Sequence, residues 1–302
     1  MTKKVMVVMG GFSSEREVSL VSGKGVADAL KEAGYDVVAH DLTSIVTFFE
    51  QLISEKPDVV FNALHGTFGE DGTIQGFLDL MQIPYTHSGM RACAIGMDKP
   101  LTKKIAGSVG INVTPHQTVK AKDFYQIAKS LSTPYVVKPI DEGSSVGVYI
   151  VKDPQEAENI KYDNDDIMLM IEKFIEGKEL TVMVLEDKSY VVTELRPTLE
   201  FYDYKAKYTT GVTEHIIPAE IPDDVAMTCK EYAIKIHKAL GCNTVSRSDF
   251  RYNPEDGVVF LEINTHPGMT PLSLVPEQAA YAGITYPQLC SVLVENAVCR
   301  KI

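Results

Sequence analysis

A chain of 302 residues is too long for one small core, so two or three packed units are expected. Its 45% hydrophobic and 23% charged residues describe an ordinary soluble globular protein. A net charge of −12 argues against nucleic-acid binding, which rests on clustered Lys and Arg, but allows a local basic pocket for an anionic substrate. The five cysteines, Cys93, Cys229, Cys242, Cys290 and Cys299, are odd in number and form no CxxC pair. They read as reduced thiols of a cytoplasmic protein. No apolar stretch approaches the roughly 20 residues of a membrane span, so no membrane association is expected.

The first hundred residues alternate strand and helix. "KVMVVMGG" is a strand closed by glycines, and "EREVSLVSGKGVADALKEAG" a helix ending at Gly34. "YDVVAHDL" is a strand, "SIVTFFEQLISE" a helix, "PDVVFNAL" a strand and "TIQGFLDLMQI" a helix. This order predicts a parallel sheet wrapped by helices, with function on the loops after its strands. Two such loops stand out, "GGFSSE" and "HGTFGEDGT". Ser14 and Glu17 fit a capping box at the first helix. A second region runs from about Met97 to Leu185. It holds "PYVVKPIDEGSSVGVYIVKD", a strand, glycine-serine loop and strand, and then two strands joined at Gly177. The remainder has the strand "SYVVTEL", a polar stretch "RPTLEFYDYKAKYTTGVTE", the helix "DDVAMTCKEYAIKIHKALG", a strand pair and a closing helix "TYPQLCSVLVENAV".

That strand pair, "TVSRSDFRYNPEDGVVFLEIN", is a hairpin about Pro-Glu-Asp-Gly. Pairing Asn253 with Val258 across a four-residue turn sets Asp249 opposite Glu262 and Arg247 opposite Asn264, all on one face. Two facing carboxylates repel, and a hard divalent cation such as Mg²⁺ resolves the repulsion with oxygen ligands. The alternative is a solvent-facing edge of mixed charge. Arg247 beside the ions would be a fixed positive charge for an oxyanion. "VVKPIDEGSSVGV" supplies a matching phosphate grip from Lys138 and a glycine-serine loop, although taken alone it is an ordinary turn. Walker and GxGxxG patterns are absent.

Together "GGFSSEREVS", "LHGTFGEDGT", "VVKPIDEGSSVGV", "SRSDF" and "FLEINTHPGMT" resemble the D-alanine–D-alanine ligase family of the ATP-grasp superfamily, in order and over essentially the whole chain. The resemblance implies an α/β fold, α+β in the later domains: an N-terminal Rossmann-like parallel-sheet domain over 1–96, a central ATP-binding subdomain over 97–185, and a C-terminal ATP-grasp subdomain over 186–302. It implies a cytoplasmic homodimer that uses ATP and two Mg²⁺ (or Mn²⁺) ions to join two D-alanines through an acyl phosphate. Asp249, Glu262 and Asn264 match the metal ligands. Arg247 and Gly268 match the groups that hold the tetrahedral oxyanion. Glu15 and His65 match the first D-alanine site, with Ser144 and Tyr208 in a relay to Glu15. Ser273 and Leu274 match the second carboxylate pocket. For ATP the matches are Lys99, Lys138 and Lys207 at the phosphates, "EKFI" (Glu172, Lys173, Phe174, Ile175) at adenine and Glu179 at ribose, with Glu142 and Ser145 also in the ATP site. "YDYKAKYTTG" would close over the intermediate. His266, Leu272 and Phe12 depart from the family's pattern beside these matches and bear on second-substrate preference. Another ATP-grasp carboxylate–amine ligase, making D-Ala–D-Ser or D-Ala–D-Lac, and a non-catalytic ATP sensor are the alternatives.

Overall fold

The computed structural model of the chain describes residues 2–143, 146–197 and 213–301. The first part is built from β1 (Lys4–Gly10), α1 (Arg16–Glu32), β2 (Asp36–Leu42), α2 (Ile45–Glu55), β3 (Val59–Asn62) and α3 (Thr73–Met81). The expected parallel sheet is present, in the order β2-β1-β3. Residues Val5 to Val8 of the central strand are fully buried because helices cover both faces. Val5 and Val7 share a core with Val26 and Leu30 of α1, while Met6 and Val8 pack with Phe48 and Leu52 of α2.

The start of α1 departs from the expected capping box. Glu15 occupies the N-cap and no side chain caps the helix. The Ser13 hydroxyl organises the turn instead, accepting from the Glu15 N–H at 3.2 Å and donating to the His65 carbonyl at 2.6 Å. That bond ties the loop after β1 to the loop after β3 and carries the chain past Ser14 before the helix begins.

Next come α4 (Met90–Met97), α5 (Lys99–Ser108), β4 (His116–Lys120), α6 (Ala121–Ala128), β5 (Tyr135–Pro139), β6 (Tyr149–Val151) and β7 (Met168–Lys173). Here the strands form a separate antiparallel sheet, ordered β4-β7-β5-β6, with Phe124 of α6 in its core. A third sheet takes β8 (Lys178–Leu185), β9 (Lys188–Ser189), β10 (Thr193–Pro197), β11 (Thr213–Ile216), β12 (Val245–Asn253) and β13 (Gly257–Asn264). One of its faces is covered by α7 (Asp223–Leu240) together with residues of α4 and α5. The chain ends with α8 (Leu274–Tyr281) and α9 (Tyr286–Glu295), which return to the α1 side of the first sheet. Among the described residues no helix is long and apolar enough to cross a membrane.

The two strands joined at Gly177 belong to different sheets, so this residue passes the chain from one to the other. Its φ is +107°, and a Cβ there would stand 2.2 Å from the Tyr252 carbonyl oxygen. Gly177→Ala should therefore cost on the order of 3 kcal/mol, from positive-φ strain plus overpacking. A denaturation midpoint equal to that of the unmodified protein would refute this account of the crossover.

The β12–β13 hairpin corrects the expected turn. Asn253 pairs with Gly257 across three residues rather than with Val258 across four. Asn253 Oδ1 accepts the N–H groups of Glu255 and Asp256 at 2.9 and 2.8 Å, and Gly257 closes the turn with φ +69°. A β-bulge between Asp249 and Phe250 absorbs the one-residue difference. Beyond it the register is the expected one, Asp249 opposite Glu262 and Arg247 opposite Asn264.

Candidate active site

Arg247, Asp249, Glu262 and Asn264 share the partly exposed face of this ribbon, while Ser248, Phe250 and Ile263 are buried on the other side. All four line one cleft. Arg247 grips Asp249 with both arms of its fork, Nε to Oδ1 at 3.0 Å and Nη2 to Oδ2 at 2.9 Å. Thr181 of β8 donates to the same carboxylate at 2.6 Å. Lys99 stands 4.0 Å from Glu262 and donates its ammonium proton to the Glu142 carbonyl. Asn264 Oδ1 accepts the His266 N–H at 3.0 Å, which fixes the amide and leaves its oxygen a second lone pair.

Two carboxylates and an amide oxygen, with no imidazole or thiolate among them, are hard donors suited to Mg²⁺ or Mn²⁺. No group of three His, Cys, Asp or Glu side chains placed to hold a metal occurs among the described residues. A set this small fits a cation whose shell is completed by water and phosphate oxygens.

The same cleft is lined by Glu15 and His65. The Glu15 carboxylate is buried against Gly66, where a Cβ would meet its Oε2 at 2.7 Å. Both ring nitrogens of His65 are engaged, Nε2 with Ser22 Oγ at 2.9 Å and Nδ1 with Glu70 Oε1 at 3.0 Å. Gly268 lies beside both Ser273 and His65: a Cβ there would be 3.0 Å from Ser273 Oγ and 3.6 Å from the His65 ring. Ser273 precedes α8, so its hydroxyl and the first helical N–H, that of Leu274, border the cleft at a helix N-terminus. Beside His65 the rings of His266 and His87 pack at a tilt of 47°, with centroids 4.0 Å apart. Burial, followed by a neighbouring imidazole (His65 for His87; His87 and then His65 for His266), pushes both pKa values down, that of His87 to about 3, so the pair is neutral. Of the departures from the family's pattern, Leu272 borders the cleft and Phe12 packs edge-on to Phe68.

Lys138 and Glu172 form a buried ion pair beside the cleft, Nζ to Oε1 at 2.8 Å. The other oxygen of Glu172 is taken by Lys103 at 2.6 Å, a residue absent from the sequence-based site. Burial works against the Glu172 charge, but the two lysines hold its pKa down at about 2. The rest of "EKFI" leans on the hairpin. Lys173 pairs with Asp256 at 2.7 Å, Arg251 lies 5.6 Å from the Phe174 ring centre, and Ile175 is buried. Glu179 is 3.6 Å from Arg251 and reaches the cleft wall, as does Glu142. Ser144, Ser145, Lys207 and Tyr208 lie outside the described residues. Ser22 and Thr181 are further polar groups at the site that no motif announced, and Glu70, inside "HGTFGEDGT", was not singled out; each is recognisable by its contact with His65 or Asp249.

The family description "D-ala D-ala ligase C-terminus" matches residues 105–295, and "D-ala D-ala ligase N-terminus" matches residues 4–56 and 45–88. The chain belongs to the D-alanine–D-alanine ligase family. A D-alanine–D-alanine ligase of Acidiphilium cryptum is 50% identical over 99% of both chains. One from Zymomonas mobilis is 52% identical over 98% of this chain and 94% of its own. The crystal structure of the Bacillus anthracis ligase complexed with ATP matches with a TM-score of 0.83 at 33% identity, covering 98% of this chain and 97% of that one. The VanG D-Ala:D-Ser ligase from Enterococcus faecalis matches with a TM-score of 0.81 at 31% identity, covering 98% and 99%. The expected ATP-grasp ligase fold is therefore the fold of this chain.

Proposed function

We propose that the protein is an enzyme that joins two D-alanine molecules to D-alanyl-D-alanine with ATP, through an acyl phosphate, for peptidoglycan precursor synthesis. The observation that carries this reading is one cleft lined together by Glu15 and His65, by Gly268 and Ser273 beside a helix N-terminus, and by the Arg-Asp-Glu-Asn face of the ribbon.

In this arrangement Glu15 holds the ammonium of the first D-alanine, with His65 fixed beside it. The carboxylate of that substrate attacks the γ-phosphorus of ATP and ADP leaves. Lys99 and Lys138 offset phosphate charge during the transfer. The second D-alanine places its carboxylate at Ser273 and the Leu274 N–H, and its free amine attacks the acyl phosphate. Negative charge then collects on the former carbonyl oxygen, where Arg247 and the Gly268 N–H stabilise it until phosphate departs. Asp249, Glu262 and Asn264 would hold two Mg²⁺ or Mn²⁺ ions, whose bound charge neutralises and aligns the phosphates. Adenine and ribose would lie against Glu172 to Ile175 and Glu179, with Lys207 at the phosphates, Ser145 also in the ATP site, and Ser144 and Tyr208 linked to Glu15. The same reading makes the protein a cytoplasmic homodimer.

Purified protein with Mg²⁺ should release phosphate from ATP only when D-alanine is added, and mass analysis should show the dipeptide even with D-serine and D-lactate competing. Phosphate release that depends on another acid, or a mixed product in the competition, would overturn the substrate assignment.

A further inference from the structure

Lys103 lies four residues after Lys99 on α5, so both project from one face of the helix. Its side chain is fully buried and cannot touch a ligand. The ammonium spends all three protons inside the protein, on Glu172 Oε2 at 2.6 Å, Thr114 Oγ1 at 3.0 Å and the Phe260 carbonyl at 3.2 Å. Thr114 also donates to the Glu172 carboxylate. A buried ion pair is a poor source of stability, since apolar residues of similar size commonly do as well. The charge itself therefore calls for an explanation.

The count supplies one. Two ammonium groups flank a single carboxylate, leaving one positive charge in excess. The other hydrogen-bond partners of Lys103 are the neutral oxygens of Thr114 and Phe260. Both lysines feel Glu262, and Lys138 also feels Glu179, acids that line the cleft. Although burial works against its charge, Glu172 and Glu262 raise the Lys138 pKa above the ordinary lysine value. Burial, reinforced by Lys138, lowers that of Lys103 despite Glu172. Counted over Glu172 and its two lysines alone, the surplus charge lies on Lys138, whose surroundings include the acids of the cleft.

We infer that Lys103 is a positioning residue for the nucleotide: by occupying one oxygen of Glu172 it leaves Lys138, held by the other, with its charge uncancelled for a phosphate. This rests on the ATP-dependent reading above. Replacing Lys103 by a neutral side chain pairs Lys138 one-to-one with Glu172 and removes the surplus. Removing the Glu172 charge as well restores it, which no merely structural role for Lys103 predicts.

The test is ATP titration with Mg²⁺, together with steady-state kinetics, on the unmodified protein, Lys103→Met, Glu172→Gln and the double variant. Lys103→Met should weaken ATP binding about tenfold or more, the worth of one charge-assisted hydrogen bond, with the D-alanine KM within about twofold. The double variant should recover most of that loss. A single variant that binds ATP normally, or a double variant no tighter than the single, overturns the inference. Should Lys103→Met show no cooperative melting, Lys103→Gln, which can still hydrogen-bond Glu172 and Thr114 but carries no charge, takes its place. It should show the same weakening of ATP binding, and normal affinity overturns the inference. An unmodified protein that binds no ATP removes the ligase reading and this inference together, whereas normal ATP binding by all four proteins removes the inference alone.

Discussion

Arg247→Ala is expected to lower kcat by about 10²–10³-fold, the usual effect of deleting one preorganised oxyanion donor. Asp249 fixes the fork by two bonds of 3.0 and 2.9 Å, so the guanidinium need not reorganise as negative charge develops on the tetrahedral carbon's oxygen. That charge is absent in the ground state. The loss should therefore fall on turnover, with ATP affinity changed by less than about tenfold. Arg247→Lys keeps a positive charge but cannot reproduce a planar two-armed grip, so it should recover only part of the rate. Single-turnover rates combined with ATP titration separate the two effects. A kcat within about threefold of the unmodified protein, or a loss confined to ATP binding, would show that Arg247 serves the nucleotide rather than the intermediate.

The shared face of Arg247, Asp249, Glu262 and Asn264 was legible in the sequence because strand alternation has a period of two and hairpin pairing is nearly determined by its turn. The turn itself was misjudged by one residue. A bulge at Asp249 and Phe250 compensated, and nothing in "SDFRYN" signals it. Helix α8 is hidden by Pro276, which breaks a helical pattern on paper. In the structure Pro276 is the third helical residue, in the first turn, where no intrahelical acceptor awaits its missing N–H. The lysine cluster was least accessible. Lys103, Lys138 and Glu172 lie on α5, β5 and β7, and only the folded chain brings them within 3 Å of a shared carboxylate. Lys103 carries a faint signal, its four-residue spacing from Lys99, but a second lysine, Lys104, follows it and the pattern does not say which is buried. Resemblance to a family locates residues that touch ligands. Groups that act through other side chains, such as Ser22 and Glu70 on His65, become visible only as distances.

Glu262→Gln is the second change with a large expected effect. Glu262 faces Asp249 directly across the ribbon, and the Lys99 ammonium is 4.0 Å away. If the face binds divalent ions, the carboxylate's charge sets their affinity, and the amide replacing it is a weaker neutral donor of nearly the same shape. Turnover should fall by on the order of 10³-fold at a Mg²⁺ concentration that saturates the unmodified protein, matching the loss of several kcal/mol of transition-state charge stabilisation. Half-saturation should also move to higher Mg²⁺ or Mn²⁺, which a role limited to fold stability would not produce. Chelation should abolish activity of the unmodified protein, and readdition of Mg²⁺ should restore it. An edge of mixed surface charge predicts the opposite: Glu262→Gln would keep both its rate and its Mg²⁺ requirement, because a carboxylate that holds no ion contributes nothing to the transfer.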